Sequence, residues 1–545
     1  MIPSATAVRP LFLSGRAKTA AAVLSGALLV VCFPLADRGS LAFVALVPLL
    51  LALQGSTPRD AARRGFLCGA VFFSGLLYWL VHVMTHYGGL PVVAGIGFLL
   101  LLVGWLALFF GGFAACQAAL LLRRGPMAFL FAPVLFVAFE IARGRLLTGF
   151  PWGLIGYTQW RRPGLVQLTA WGGIYALSFL VVLVNAAVAL FLAAGGVRRR
   201  RIGAAAAALA VAAGVGFLGK RALAGVDLGD GLPIPVAAIQ ANVPQEMKWL
   251  RGREQQIVSG LLTGSADAAA QGARLVVWPE SSSPLALAYG DDPNVPATPP
   301  GRDRQGFEQV ASWVRKARVT LLTGSVAYRR VDGRLRAYNS AFVIGPDGVP
   351  AASYDKVHLV PFGEYVPLQR LLFFVDRMVQ GAVAEFLPGE RFDPLPTAEG
   401  RAGTFVCYEA IFPELVRRVA RHADFLVNIT NDAWFGKSAA PYQHLAMAAV
   451  RAAENRRWMV RAANTGISAI IDPAGRVRRR TPLEVETILM GSVAPRSDTT
   501  LYARTGDLLA WACVILTAVL AAVHRSAFAR TPRSAGSGPP RPAVS

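Results

Sequence analysis

The sequence predicts two parts, a polytopic α-helical membrane domain and an extramembrane domain of layered α/β type, and three observations carry that expectation. Of 545 residues, 54% are hydrophobic and 16% charged. Soluble proteins run at about 45–50% and 25%, so much of this chain must meet lipid. Long apolar runs recur between residues 18 and 219 and once more at 507–524. Between them lies a stretch of short β-rich runs separated by Gly and Pro.

A helix needs about 20 apolar residues to cross a bilayer. Runs long enough to cross, or nearly so, lie near 18–36, 41–54, 65–84, 91–122, 127–142, 167–196, 202–219 and 507–524. The second and fifth are short, so a helical hairpin could replace one crossing. The resulting plan is an N-terminal membrane domain at 1–222 with about seven spans, an extramembrane domain at 223–505, a last span at 506–525 and a tail at 526–545. The tail is rich in Ser, Pro, Gly and Arg with little to bury, which predicts disorder. The first run follows basic residues, but no small-x-small cleavage pattern follows it, so it reads as an uncleaved span.

Charge sets the orientation. Arg16 and Lys18, then Arg59, Arg63 and Arg64, then Arg123 and Arg124, then Arg198 to Arg201, and finally Arg525, Arg530 and Arg533 fall on one side of the span plan. By the positive-inside bias that side is cytoplasmic, with both termini inside and the large domain across the membrane. Arg143, Arg145, Arg161 and Arg162 dissent from the pattern. The net charge of +23 raises nucleic acid as a partner, but arginines clustered beside apolar runs argue against it. Glu140 and Arg143, near the outer end of the fifth run, read as a structural pair or a contact to a lipid headgroup, with the pair favoured.

From Pro235 the β-rich runs are VAAIQAN, ARLVVWPE, VTLLTGSVA, NSAFVIGP, GTFVCYE, DFLVNITN and ISAIIDPAG. Continuous apolar strands of this kind suit sheets buried on both faces. Three polar groups fall at strand ends, where layered folds place their sites because side chains leave the sheet there in a fixed direction. Glu280 closes LVVWPE, Lys356 lies in SYDKVHLVPFGEYVP and Cys407 closes GTFV. Of five cysteines, Cys32, Cys68, Cys116 and Cys513 sit inside apolar runs, which leaves Cys407 alone in the polar region.

A cysteine at a strand-to-helix turn beside an ammonium is expected to favour thiolate. A carboxylate can then act as base and a lysine can stabilise a developing oxyanion, which makes the trio an acyl-transfer set. Taken singly, each has an ordinary reading: a buried structural thiol, a surface carboxylate, a solvated lysine. His358, His422 and His444 offer another partner for Cys407, as in cysteine proteases, but that arrangement leaves Glu280 and Lys356 unexplained. The same histidines lack metal-ligand spacing with any cysteine, so neither metal nor cofactor is expected.

WPES around Glu280, YDKVHLVPFGEYVP around Lys356 and CYEAIFPE around Cys407 resemble the three catalytic blocks of the nitrilase superfamily, in its chain order. With NDAWFG at 431–436, GFPWGLIGY at 149–157 and the flanking spans, nearly the whole chain is similar to the membrane-embedded branch of that superfamily, the apolipoprotein N-acyltransferases. The resemblance implies an αββα sandwich with Glu280 as general base and acid, Lys356 as oxyanion donor and Cys407 as nucleophile. It further implies that Glu364 supports the thiol and the lysine, and that Tyr408 and Glu409 shape the site. Trp249, Asn339, Pro367 and Trp434 match positions linked to substrate handling or lid loops. Packing or an interfacial aromatic belt is the plain reading of the two tryptophans, and a turn that of Asn339.

The reaction so implied takes an acyl chain from a phospholipid, phosphatidylethanolamine by the resemblance, onto Cys407 and passes it to the α-amine of a diacylated apolipoprotein at the bacterial inner membrane. A monomer is expected. Two other readings stay open at this level: a membrane-tethered amidase in which water resolves the acyl-enzyme, and a transporter or lipoprotein-binding scaffold, whose signature would be polar residues in mid-span.

Overall fold

The computed structural model describes residues 14–229, 232–248, 250, 252–283, 288–289, 301–365 and 386–529. Its first half is helical: α1 (Gly15–Cys32), α2 (Val47–Leu53), α3 (Pro58–Leu77), α4 (Val92–Arg124), α5 (Ala132–Arg143), α6 (Thr169–Leu192) and α7 (Arg198–Ala224). Local chemistry starts several of them. Ser14 caps α1 by accepting from the Ala17 N–H, and Thr57 caps α3 by accepting from Asp60 N–H just ahead of Pro58.

Among the described residues, four helical runs are long and apolar enough to cross a membrane, and five if one bent pair counts as a single span. The pair is α3 with Trp79–Tyr87, bent by 52°. One of the four runs, Val92–Arg143, is 52 residues long and cannot be one straight rod. Phe136 of α5 sets its ring 5.5 and 5.2 Å from Phe110 and Phe113 of α4, so the chain folds back near Gly125, whose φ is +61°. The second apolar run forms only the turn Gly39–Phe43 and the seven-residue α2. Too few residues remain in regular helix there for a full-length crossing by rise alone.

The second half of the chain holds a sandwich of two sheets. The first has the order β13-β1-β2-β4-β5-β6, with β3 also pairing β4. Its strands are β1 (Ile234–Gln240), β2 (Leu275–Val277), β3 (Ala288–Tyr289), β4 (Thr320–Val331), β5 (Arg334–Ile344), β6 (Pro350–Asp355) and β13 (Thr487–Val493). The second has the order β12-β11-β10-β9-β8-β7, from β7 (Leu395–Thr397), β8 (Gly400–Val406), β9 (Phe425–Thr430), β10 (Met459–Ala463), β11 (Ala469–Ile471) and β12 (Val477–Arg480). The central strands β1, β2 and β4, and likewise β8, β9 and β10, run parallel. Parallel strands need cover on both faces, and all three residues of β2 and all six of β9 are buried.

Helices supply that cover. Glu254–Ala270 (α8) and Gly301–Ala317 (α9) close the outer face of the first sheet through Val258, Leu261, Phe307 and Val310, around Trp278. Pro413–Ala420 (α10) and Ala440–Asn455 (α11) lie on the second, and Leu508–Ala529 (α12) returns to the membrane helices, extending into the segment read as a tail.

The helix α11 joins the two halves. Nearly all of its residues are buried although they include Gln443, His444, Arg451, Glu454 and Asn455, because the membrane domain covers the face that would otherwise meet water. Gln443 accepts from Trp152 Nε1 at 2.7 Å and donates to the carbonyls of Pro34 and Leu76. Glu454 accepts from the Ile174 N–H at 2.8 Å. Trp152 belongs to GFPWGLIGY, a loop held from beneath by α5. There the structure corrects the expected Glu140–Arg143 pair: Glu140 accepts from the Ile155 N–H, and Arg143 donates to the carbonyls of Phe150 and Trp152. Buried backbone groups in a loop need such partners, and these two side chains provide them.

Gly324 of β4 shows how closely the sandwich fits its site. A Cβ there would lie 2.7 Å from three backbone atoms, Glu280 Cα, Pro279 O and Ser281 N. Gly324→Ala should cost about 1–3 kcal/mol as overpacking does elsewhere and displace Glu280. Chemical unfolding in detergent checks the first effect, and loss of Cys407 reactivity at a temperature where the variant is folded checks the second.

Candidate active site

Glu280, Lys356 and Cys407 converge from three strand ends. Glu280 follows β2 by a short WPE segment, Lys356 is the first residue after β6, and Cys407 the first after β8. The third strand ends abruptly. Cys407 has φ +49°, a left-handed conformation that costs a non-glycine residue about 1–3 kcal/mol, and it throws the thiol out of the sheet line.

The Glu280 carboxylate is fully engaged. Oε1 accepts from Asn339 Nδ2 at 2.8 Å and from Lys356 Nζ at 3.3 Å, while Oε2 accepts from the Asn431 N–H at 2.8 Å. The Cys407 thiol lies close enough to this carboxylate to act on its charge. Lys356 Nζ lies 3.0 and 2.9 Å from the two oxygens of Glu364, which also accepts from Asn339 at 2.8 Å and from the Val360 N–H. Asn339 sits inside β5, paired with β4 and β6, so the turn reading of it falls. Its amide separates two carboxylates that would otherwise repel.

Burial and charge then set the protonation. Burial raises the Glu280 carboxyl, but Lys356, Asn339, the Cys407 thiol and Lys248 outweigh it and hold the group below the usual carboxylate range. Burial disfavours the Lys356 ammonium, and Glu364 and Glu280 reverse that, leaving it firmly charged. Burial pushes the Cys407 thiol well up, Glu280 pushes it further, and Lys356 only partly opposes them. The expected resting thiolate is therefore corrected to a neutral thiol held against a carboxylate. A desolvated sulfur next to a negative base has more to lose by ionising than one ammonium returns.

Glu409 ties the lysine and cysteine segments together. Its carboxylate accepts from the N–H groups of Val406, Val357 and His358 at 2.6, 2.7 and 3.1 Å and from Tyr354 Oη at 2.9 Å. Tyr408 lies in an aromatic cluster with His358 and Phe412. Trp434 packs its ring edge-on to Tyr87 of the membrane domain at 5.0 Å. Trp249 and Pro367 lie outside the described residues.

One group at this site is absent from the sequence reading, and another has a different role from the one weighed there. Lys248 is buried with Nζ 3.1 Å from the Glu280 carbonyl oxygen, and burial pushes its ammonium down to about 8 against the pull of Glu280 and Cys407. It follows no strand, and only its neighbour Trp249 drew notice. His444 does approach Cys407, but Nε2 bonds the main-chain carbonyl at 3.0 Å and Nδ1 faces Asp432, which Arg461 also holds at 2.8 Å. The protease-like pairing of this histidine with the thiol is thus overturned. His444 braces the strained backbone of Cys407, and Trp152 stacks on its ring at 5.9 Å. Among the described residues no group of three His, Cys, Asp or Glu side chains could hold a metal.

A buried Glu, Lys and Cys at the strand ends of a two-sheet sandwich, seated on membrane helices, define a carbon–nitrogen hydrolase-type enzyme built into a membrane protein. The comparisons agree. Residues 235–502 match the carbon-nitrogen hydrolase family model and residues 25–187 that of the apolipoprotein N-acyltransferase N-terminal domain. An apolipoprotein N-acyltransferase of Geobacter metallireducens is 41% identical over 92% of this chain and 94% of its own. That of Azotobacter vinelandii is 36% identical over 89% and 90%. Saccharomyces cerevisiae Nit3, a solved nitrilase-superfamily structure, is 20% identical over 49% of this chain and 92% of its own, with a TM-score of 0.37. The chain belongs to the apolipoprotein N-acyltransferase family and is an acyltransferase.

The protonation pattern can be read directly. In the full-length protein, alkylation of Cys407 by iodoacetamide should be nearly flat from about pH 5.5 to 8, because Glu280 is already ionised and the thiol far from titrating. Glu280→Gln should slow it by about 10²–10⁴-fold, the usual worth of a general base. A wild-type rate climbing about tenfold per pH unit toward 8.5 would mean an ordinary thiol instead.

Proposed function

We propose that this enzyme moves a fatty acyl chain from a phospholipid to the α-amino group of the S-diacylglyceryl cysteine that begins an apolipoprotein, through a thioester on Cys407. The observation that carries the reading is the convergence of Glu280, Lys356 and Cys407 from three strand ends, with the Lys356 ammonium 3.3 Å from the Glu280 carboxylate, on a domain whose α11 is packed against the helical half. The named relatives support the substrate assignment.

In the first step Glu280 takes the thiol proton as sulfur attacks the ester carbonyl, and the ammonium of Lys356 faces the oxyanion. Collapse breaks the ester C–O bond, and protonated Glu280 returns the proton to the departing glycerol oxygen. A lysophospholipid leaves. In the second step the acceptor amine attacks the thioester, Glu280 takes its proton, and the expelled thiolate is reprotonated from Glu280. The sum is an ester and an amine converted to an amide and an alcohol. Glu364 and Asn339 keep Lys356 charged and aimed, and Glu409 fixes the loops that carry Lys356 and Cys407.

The donor is a phospholipid such as phosphatidylethanolamine and the acceptor a diacylated lipoprotein, both confined to the bilayer, which is the reason for a membrane floor beneath the site. The positive-inside pattern supports eight crossings with both termini cytoplasmic and the domain on the periplasmic face of the inner membrane. The short second run would then cross with help from its flanking turn. A monomer suffices for this chemistry.

Incubated with phosphatidylethanolamine, the purified protein should gain an acyl mass on the Cys407 peptide that hydroxylamine removes. Cys407→Ala should lack it and Glu280→Ala should fail to form it. Adding a diacylated lipopeptide should yield the amide. Free fatty acid as the sole product would make the enzyme a hydrolase.

A further inference from the structure

A cleft of about 500 Å³ lies where the loop before α6 meets the hairpin of β11 and β12. Five arginines line it: Arg161 from the membrane domain, and Arg476, Arg478, Arg479 and Arg480 from the sandwich. Two carboxylates answer them. Asp472 takes Nε of Arg476 at 2.6 Å and of Arg478 at 2.8 Å, and Asp37 takes Nε of Arg161 at 2.5 Å. Five guanidinium groups against two carboxylates leave three positive charges uncompensated, on side chains that water reaches. Like charges gathered this closely repel unless an anion joins them.

The surroundings of the cleft say which anion. Trp160 and Pro163 form its membrane-side wall. Just beyond, Gly164 lies against Lys220 and Leu165 against Gly216, both on the outer end of α7. From there Phe217, Leu218 and Val211 of α7 are exposed, at 60%, 52% and 57%, and form an apolar surface leading away from the arginines. A cationic cleft at the head of an exposed apolar helix face matches the two ends of a phospholipid. Planar guanidinium groups suit phosphate oxygens, which they can bind in pairs.

The geometry points to a binding site for the phosphodiester headgroup of an anionic phospholipid, with its acyl chains lying along α7, in the leaflet on the domain's side. The site is separate from the reaction centre. β12 is four strands from β8, which ends at Cys407, and strands about 4.8 Å apart put that at roughly 19 Å. It also gives Arg161, one of the arginines on the wrong side for the positive-inside bias, a reason to be there. The inference needs only the side of the bilayer on which the domain sits, and not the identity of the reaction.

Native mass spectrometry of the full-length protein released from detergent, titrated with phosphatidylglycerol or phosphatidylcholine, tests it. Wild type should retain phosphatidylglycerol about tenfold better than phosphatidylcholine, whose quaternary ammonium offsets its phosphate and is repelled by the surplus guanidinium charge. Arg478→Gln with Arg480→Gln should remove the preference, Arg478→Lys with Arg480→Lys should keep most of it, and Cys407→Ala should keep all of it. Arg476 still satisfies Asp472 in these variants, and an unchanged melting temperature certifies folding. Equal retention by wild type and the glutamine variant overturns the site. Binding of phosphatidylglycerol abolished by millimolar inorganic phosphate would assign the cleft to a free anion and overturn the lipid assignment.

Discussion

The arrangement of the site depends on one buried ammonium. Lys356 lies between the carboxylates of Glu280 and Glu364 with almost no access to water, and without it two like charges would share a cavity in which both could not stay ionised. Its presence makes Glu280 a carboxylate at neutral pH, and that carboxylate in turn keeps Cys407 a thiol. In the proposed mechanism, charge appears on sulfur only while the proton is on Glu280. A buried ion cluster of this kind contributes little net stability and is better understood as a device that fixes protonation.

The sandwich delivers the three groups, and the membrane domain steadies one of them. His444 holds the carbonyl of Cys407 in its left-handed conformation and is itself covered by Trp152 from the GFPWGLIGY loop. That loop depends on Glu140 and Arg143 for its backbone partners. A chain of contacts therefore runs from α5 to Cys407. In a soluble hydrolase the outer face of α11 would meet water. Here it is buried polar surface, with Gln443 and Glu454 bonding across the domain junction and His444 and Asn455 bonding within their own domain.

Much of the site was legible in the sequence because chemistry and local pattern coincide there. Glu280, Lys356 and Cys407 each close an apolar β run, and strand ends fix direction, so their type and position sufficed to group them. Tyr408, Glu409 and Glu364 came with the same blocks. Lys248 and His444 lie in segments with no strand to flag them, and their importance comes from where the chain brings them. Asn339 was noticed, but whether it turned the chain or faced the carboxylates depended on its place within β5.

The apolar content, the long runs and the arginine pattern determined by themselves that this chain has helices for a membrane and a separate α/β domain, because hydrophobic length and strand periodicity are local properties. Only the tertiary structure decided how α4 and α5 fold back on each other, that Glu140 and Arg143 hydrogen-bond a loop rather than each other while their charges still interact, and that Cys407 rests as a thiol. The first two depend on close packing between segments distant in sequence. The last depends on burial, since desolvation of sulfur beside Glu280 outweighs the pull of Lys356, and burial is not written in any stretch of sequence.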